Sequence, residues 1–160
     1  MSVYRMSSQV AAQNPPITAS GAKDLVVAQA TFALSGALGV NNVIEMLVLP
    51  AGHKLVDAIL DTTDLDTGGS PTITLNVGTM AGTPFDPTFA SRAVTANIIS
   101  ATNVGQTGGV ARAAVTGFSN IAAMNEDRSI GVSVQAGPAT GATTGTVALT
   151  LMYRPIINGN

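Results

Sequence analysis

Residues 45–78 read EMLVLPAGHKLVDAILDTTDLDTGGSPTITLNVG. The run Val43–Leu49 is apolar except for Glu45, and Pro50-Ala51-Gly52 turns the chain. From Lys54 to Asp61 the residues alternate, with Leu55, Asp57 and Ile59 on one face and Val56, Ala58 and Leu60 on the other. An acidic turn follows. Thr72–Val77 then alternates most cleanly, with Ile73, Leu75 and Val77 set against Thr72, Thr74 and Asn76. A period of two over short runs marks strands with one buried face. Strand, turn, strand, acidic turn, strand predicts an all-β fold.

The flanks continue the pattern. Upstream, Val26, Ala28, Ala30, Phe32 and Leu34 alternate with Val27, Gln29, Thr31 and Ala33, and Gly36–Asn42 is a loop. Downstream, Ser129–Gln135 points Ile130, Val132 and Val134 inward, and Thr146–Tyr153 does the same with Val147, Leu149, Leu151 and Tyr153. The connector GPATGATTG between them is polar and flexible, which predicts a hairpin pairing these two strands. Between residues 82 and 127 the reading is less regular. Gly82–Pro87 is a loop. Phe89, Ala93, Ala96, Ile98 and Ile99 fall near helical spacing, predicting a short helix within Thr88–Ala101. Val104–Gly109 is turn-rich, Ala111–Phe118 reads as a strand, and Met124–Asp127 reads as a turn. The count is seven or eight strands and at most one helix, an antiparallel β-sandwich or jelly roll over residues 25–160.

Residues 1–24 are polar and irregular, and Asn14-Pro15-Pro16 neither continues a helix nor sits inside a sheet. They read as an extended N-terminal arm. Val3, Tyr4, Met6, Val10 and Ile17 give it apolar residues with which to bind a partner, and the arm is expected to serve attachment rather than the core. The opening MSVYRMSSQVAAQNPP has no apolar core of a secretory signal, so none is expected.

Composition narrows the function. The chain has 160 residues, enough for one domain with a real core. It has no cysteine, so disulfides and thiolate metal sites are excluded. Seven basic residues against nine acidic ones, scattered along the chain, make no nucleic-acid footprint. Charged residues are 10% of the total, well under the usual ~25%. Threonine and glycine take their place, which fits a β-fold covered by neighbours. Leu25–Ile44 and Ser129–Tyr153 are uncharged, but polar residues and glycines interrupt both, so membrane insertion is not expected.

The chemistry-bearing residues are few. His53 is the only histidine, too little for a zinc site or an assembled general base. Asp61, Asp64 and Asp66, followed by Gly68, make part of a calcium-loop pattern but lack its closing glutamate. They are the only metal candidates, and a solvated acidic loop is the plainer reading. No nucleophile elbow, phosphate-binding loop or dinucleotide fingerprint occurs, and GQTGG at 105–109 carries no lysine. No catalytic residue and no cofactor is expected.

Residues 49–78, together with GVARAAV at 109–115 and SVQAGPATGATTGTVALTLMYRP at 133–155, resemble the decoration (cement) proteins of tailed-bacteriophage capsids. The resemblance covers about half the chain and rests on scaffold motifs, so no single functional residue carries over. It implies a non-enzymatic virion protein, made in the host cytoplasm, that sits on the capsid surface. Its partners would be the major capsid protein and itself, as a homodimer or homotrimer, with no nucleic acid and no membrane. The rivals are a carbohydrate- or receptor-binding β-sandwich of a tail or fibre, a jelly-roll enzyme, and the coat protein itself. The first would need an exposed aromatic platform or a calcium site, and tryptophan is absent. The second would need several histidines. The third would need more residues and more helix.

Overall fold

Alternating apolar side chains separated by Gly-, Pro- and Asp-containing turns give strands that bury one face each. A computed structural model describes residues 4–19, 24–86, 92–114, 121 and 124–156. Within them the strands are β1 (Tyr4–Met6), β2 (Val26–Ala33), β3 (Val43–Leu49), β4 (His53–Thr62), β5 (Thr74–Met80), β6 (Val94–Thr102), β7 (Gly109–Arg112), β8 (Arg128–Ala136) and β9 (Thr146–Pro155). One short helix, α1 (Ser8–Ala11), and one 3-10 turn, Val104–Gln106, accompany them.

The pairing is nested. β2 pairs with β9, β3 with β8, β4 with β7 and β5 with β6, all antiparallel. The chain is thus one long antiparallel ribbon closed at the β5–β6 end. The ribbon then wraps on itself, adding β4–β9 and β5–β8 pairs. Two sheets result, ordered β1-β3-β8-β5-β6 and β2-β9-β4-β7. This is a jelly roll, in agreement with the sequence reading. Both sheets turn apolar residues into one core, where Ile73, Leu75, Val77, Val147, Leu149, Leu151 and Tyr153 are fully buried.

Four expectations are corrected. Ser129–Gln135 and Thr146–Tyr153 do not pair as a hairpin, because β8 and β9 belong to different sheets. The connector crosses from one sheet to the other and is held by Asp66, whose carboxylate accepts from Ala139 N (2.9 Å) and Thr140 N (2.9 Å). An alternating strand needs an antiparallel neighbour, but alternation does not say which strand that is.

The helix expected within Thr88–Ala101 is strand β6 from Val94 onward, while residues 87–91 lie outside the described residues. Two register shifts against β5 break the period of two and bury both Ile98 and Ile99. Such bulges mimic helical spacing in a sequence. Gly78 makes them possible, because a Cβ there would lie 1.6 Å from the Thr95 carbonyl oxygen. Asn97 replaces the lost ladder bonds, accepting from Thr79 N (3.0 Å) and donating to Thr79 Oγ1 (2.9 Å).

On β4 the predicted phase holds for only part of the strand. A bulge between Leu55 and Asp57 switches the inward set from Leu55 to Ala58 and Leu60, and leaves Ile59 half-buried. The strand expected at Ala111–Phe118 is β7, which begins at Gly109 and ends at Arg112; residues 115–120 lie outside the described residues.

Candidate functional site

The acidic turn is a structural joint. Asp66 is buried, and its carboxylate accepts five backbone hydrogen bonds. Oδ2 takes Thr72 N (2.7 Å), Ile73 N (3.2 Å) and Ala139 N (2.9 Å). Oδ1 takes Gly68 N (3.3 Å) and Thr140 N (2.9 Å). Burial pushes this carboxyl up. The N–H groups of Thr140, Thr72, Ala139 and Ile73 outweigh it and hold the group well below the usual carboxylate range. Asp64 accepts from Asp66 N (2.9 Å), and Asp61 is exposed on β4. The three carboxylates therefore do not converge. Among the described residues, no group of three acidic or histidine side chains is placed to share a metal ion.

His53 is buried at the start of β4. Its Nδ1 lies 2.8 Å from the Ala51 carbonyl oxygen, and its Nε2 accepts from Ala19 N at 3.4 Å. The Nδ1–H tautomer satisfies both contacts. Its ring meets Tyr153 edge-on, 5.6 Å between centroids, and the Tyr153 hydroxyl donates to the Ile17 carbonyl (2.6 Å). Burial raises the Tyr153 phenol above its ordinary value. These two side chains clamp residues 17–19 of the arm onto the body.

The rest of the described arm is also docked. β1 runs parallel to β3, with Tyr4 opposite Val43 and Met6 opposite Glu45. Ser7 is buried; its N–H donates to Glu45 O (2.8 Å) and its Oγ–H to Met46 O (2.6 Å), while Oγ caps α1 at Val10 N (3.3 Å). Val10 is buried, Met6 is half-buried and Ile17 is 60% exposed. Val3 lies outside the described residues. Arg5 stands over the Phe32 ring (6.0 Å), and Gln9 Nε2 donates to Gln29 O (2.7 Å), so the arm ties the edge of one sheet to the edge of the other.

A second polar cluster escaped the sequence reading. Glu45, Arg92 and Ser129 are fully buried on the outer side of the β3–β8 pair. Arg92 NH1 donates to Glu45 Oε2 (2.6 Å), its NH2 to Ser129 Oγ (2.6 Å) and its Nε to Ala81 O (2.9 Å). Ser129 Oγ–H donates in turn to Glu45 Oε1, which also accepts from Phe85 N (3.3 Å). The cluster ties Ala81, Phe85 and Arg92 to the outer side of this sheet. One signal was available: Glu45 is the lone charge in an apolar run, and a buried charge needs a partner.

Among the described residues, no such strap crosses the other sheet. On the outer face of β2-β9-β4-β7, Val27 is 53% exposed, Val56 37% and Val110 64%. Arg112 reaches along it to Asp57, donating from Nε (2.6 Å) and NH2 to Oδ2, while Ala58 N donates to Oδ1 (2.8 Å). The Arg112 hydrogen bonds hold the Asp57 carboxyl below its ordinary value. Asp57 and Arg112 are the one ion pair on this face among the described residues.

One chain of the capsid of Ralstonia phage GP4 is similar over its whole length, with 37% identity and a TM-score of 0.91, covering 98% of this chain and 100% of that one. The chain belongs to this family of phage capsid proteins. A chain of the cyanophage Pam1 capsid asymmetric unit is similar at 25% identity and a TM-score of 0.67, covering 91% of this chain and 96% of that one. No protein-family model and no curated protein matches. Membership of the capsid-protein family makes the protein a structural part of the virion. It also accounts for a molecule whose polar clusters brace the fold and whose open feature is a sheet face.

Proposed function

We propose that the protein is a decoration, or cement, protein: a homo-oligomer on the outside of the phage head that bridges subunits of the major capsid protein. The observation that supports this reading most is a jelly roll that closes its own core and is braced by its own arm, matched end to end by a chain of the Ralstonia phage GP4 capsid. A subunit added to a finished shell must fold before it meets the lattice. Such a subunit works by burying surface across coat boundaries, so each copy adds a modest free energy that the lattice multiplies. The apolar arm residue open to a coat subunit is Ile17, 60% exposed, and Leu25, the first residue of the sandwich, is 54% exposed. Ile17 thus keeps the attachment role expected for the arm, whereas Val10 packs within the chain itself.

The test is to add purified protein to heads assembled without it. Co-sedimentation with the heads, and heads that open at a higher temperature, are expected. Failure to bind preformed heads, or shells that cannot assemble at all in its absence, would assign it to the shell instead. Ile17→Asp should weaken binding to heads and leave the melting temperature of the free protein unchanged.

A further inference from the structure

One contact between the arm and the body can be reversed by a single proton. His53 is the only histidine of the chain and is 7% exposed. Its Nδ1–H faces the Ala51 carbonyl oxygen at 2.8 Å, which leaves the lone pair of Nε2 for the Ala19 N–H, 3.4 Å away. The turn beneath the ring is held by bonds of its own. Ala51 N donates to Asp127 Oδ1 (2.7 Å), Gly52 N donates to Met124 O (2.8 Å), and Gly52 O accepts from Ile156 N (2.9 Å). The Ala51 carbonyl therefore keeps its place and its hold on Nδ1–H. An imidazole side chain changes charge between about pH 5 and 8, and the proton goes to the nitrogen that lacks one. In His53 that nitrogen is the one the arm uses. A proton there turns the acceptor into a donor aimed at another donor, and the hydrogen bond becomes a repulsion.

We infer that His53 is a proton-operated latch on the arm: neutral, it holds Ala19 against the body, and protonated, it releases the stretch around Ile17–Ala19. The surroundings offer the imidazolium little compensation. Residues 12–19 of the arm carry no titratable side chain. On β9, Tyr153 meets the ring edge-on, and its hydroxyl already donates to Ile17 O (2.6 Å). Burial raises the Tyr153 phenol, so it stays neutral while an imidazole titrates. Arg154 follows Tyr153 on β9 and stands opposite Lys54, the residue after His53, so the flanking charges in the register carry the imidazolium's own sign. The acidic groups stand on the 124–127 turn, where Asp127 accepts from Ala51 N and Glu126 is exposed. Among the described residues, the ring nitrogens are hydrogen-bonded to Ala51 and Ala19, and to neither carboxylate. Farther up the arm, β1 pairs with β3, and Ser7 bonds to the backbone of Glu45 and Met46, contacts that neither gain nor lose a proton in this range. The opening is therefore local. The latch contributes stability while His53 is neutral, and that contribution is lost as pH falls through its titration.

The latch belongs to the free subunit, so it stands or falls apart from attachment to heads. The experiment is amide exchange on the full chain by NMR, with the His53 Cε1–H resonance followed through the same pH series. From about pH 8 to 5 the Ala19 protection factor, corrected for the intrinsic pH dependence of exchange, should fall at least about tenfold. Its midpoint should coincide with the titration of the imidazole, and protection in β5 and β8 should stay constant. His53→Phe has no acceptor and should leave Ala19 weakly protected at every pH. The side-chain amide of His53→Gln does not titrate in this range, so it should abolish the pH dependence. Where a variant does not fold, the wild-type midpoint alone decides. An imidazole that stays neutral down to about pH 5, Ala19 protection that does not follow the titration, the same fall in His53→Gln, or a loss spread through β5 and β8 would each overturn the latch.

Discussion

Glu45 Oε2 lies 2.6 Å from NH1 of Arg92, forty-seven residues later, with both side chains closed to solvent. Removing one member strands the other charge in the interior, which costs about 3–5 kcal/mol, whereas replacing both by apolar groups of similar size is close to neutral. Arg92→Ala is therefore expected to lower stability by about 3–5 kcal/mol, and Glu45→Leu with Arg92→Met to recover most of that loss. Urea denaturation of the single and double variants measures the coupling; independent, additive effects would remove the strap from the account.

Asp66 links stability to acid. Its native carboxyl titrates well below the unfolded value of about 3.9, so it binds its proton more readily in the unfolded chain. Its stabilisation is complete above about pH 4 and is lost as pH falls below that, through the native value. Asp66→Asn turns an amide NH₂ toward backbone donors, and should lower the melting temperature at pH 7 by at least about 5 °C and flatten the acid limb. Thermal melts from pH 2 to 7 on both proteins test this.

The glycines separate into two kinds. A methyl group at Gly78 has nowhere to go against Thr95, so Gly78→Ala should lower the melting temperature by about 10 °C or more. A Cβ at Gly69 would meet nothing within 4 Å, so Gly69→Ala should be neutral or stabilising by up to about 1 kcal/mol. Equal effects at the two sites would contradict the bulged β5–β6 pairing.

Tyr153→Phe removes the hydroxyl that holds Ile17 O and leaves the ring in the core. The expected loss is about 0.5–1.5 kcal/mol, with faster amide exchange confined to the arm around Ala19. Exchange that rose evenly through β9 would mean that the hydroxyl supports the core rather than the arm.

The strands with undisturbed alternation were legible: β5, β8 and β9 bury the residues their period of two selects. Where a bulge intervenes, the pattern misleads. Ile98 and Ile99 are both buried, and β4 changes phase at Asp57, because a register shift moves side chains between faces without leaving a composition signal. Pairing was less legible still. β8 and β9 are near neighbours in the chain and lie in different sheets, a choice made by Asp66 from seventy-three residues away. Glu45 announced a buried partner, but a distance of forty-seven residues hid which arginine it was. Lys54 and Arg154 looked like isolated surface charges until the register set them side by side.

The central place of β9 in its sheet, between β2 and β4, also governs the timing of folding. A nascent chain that has emerged from the ribosome only as far as β8 can build most of the strapped sheet, but β2 and β4 still lack the strand that joins them, and the core residues beneath stay wet. The jelly roll therefore cannot close co-translationally until β9 is free. The last paired strand is its keystone, and a partly made copy has no finished core.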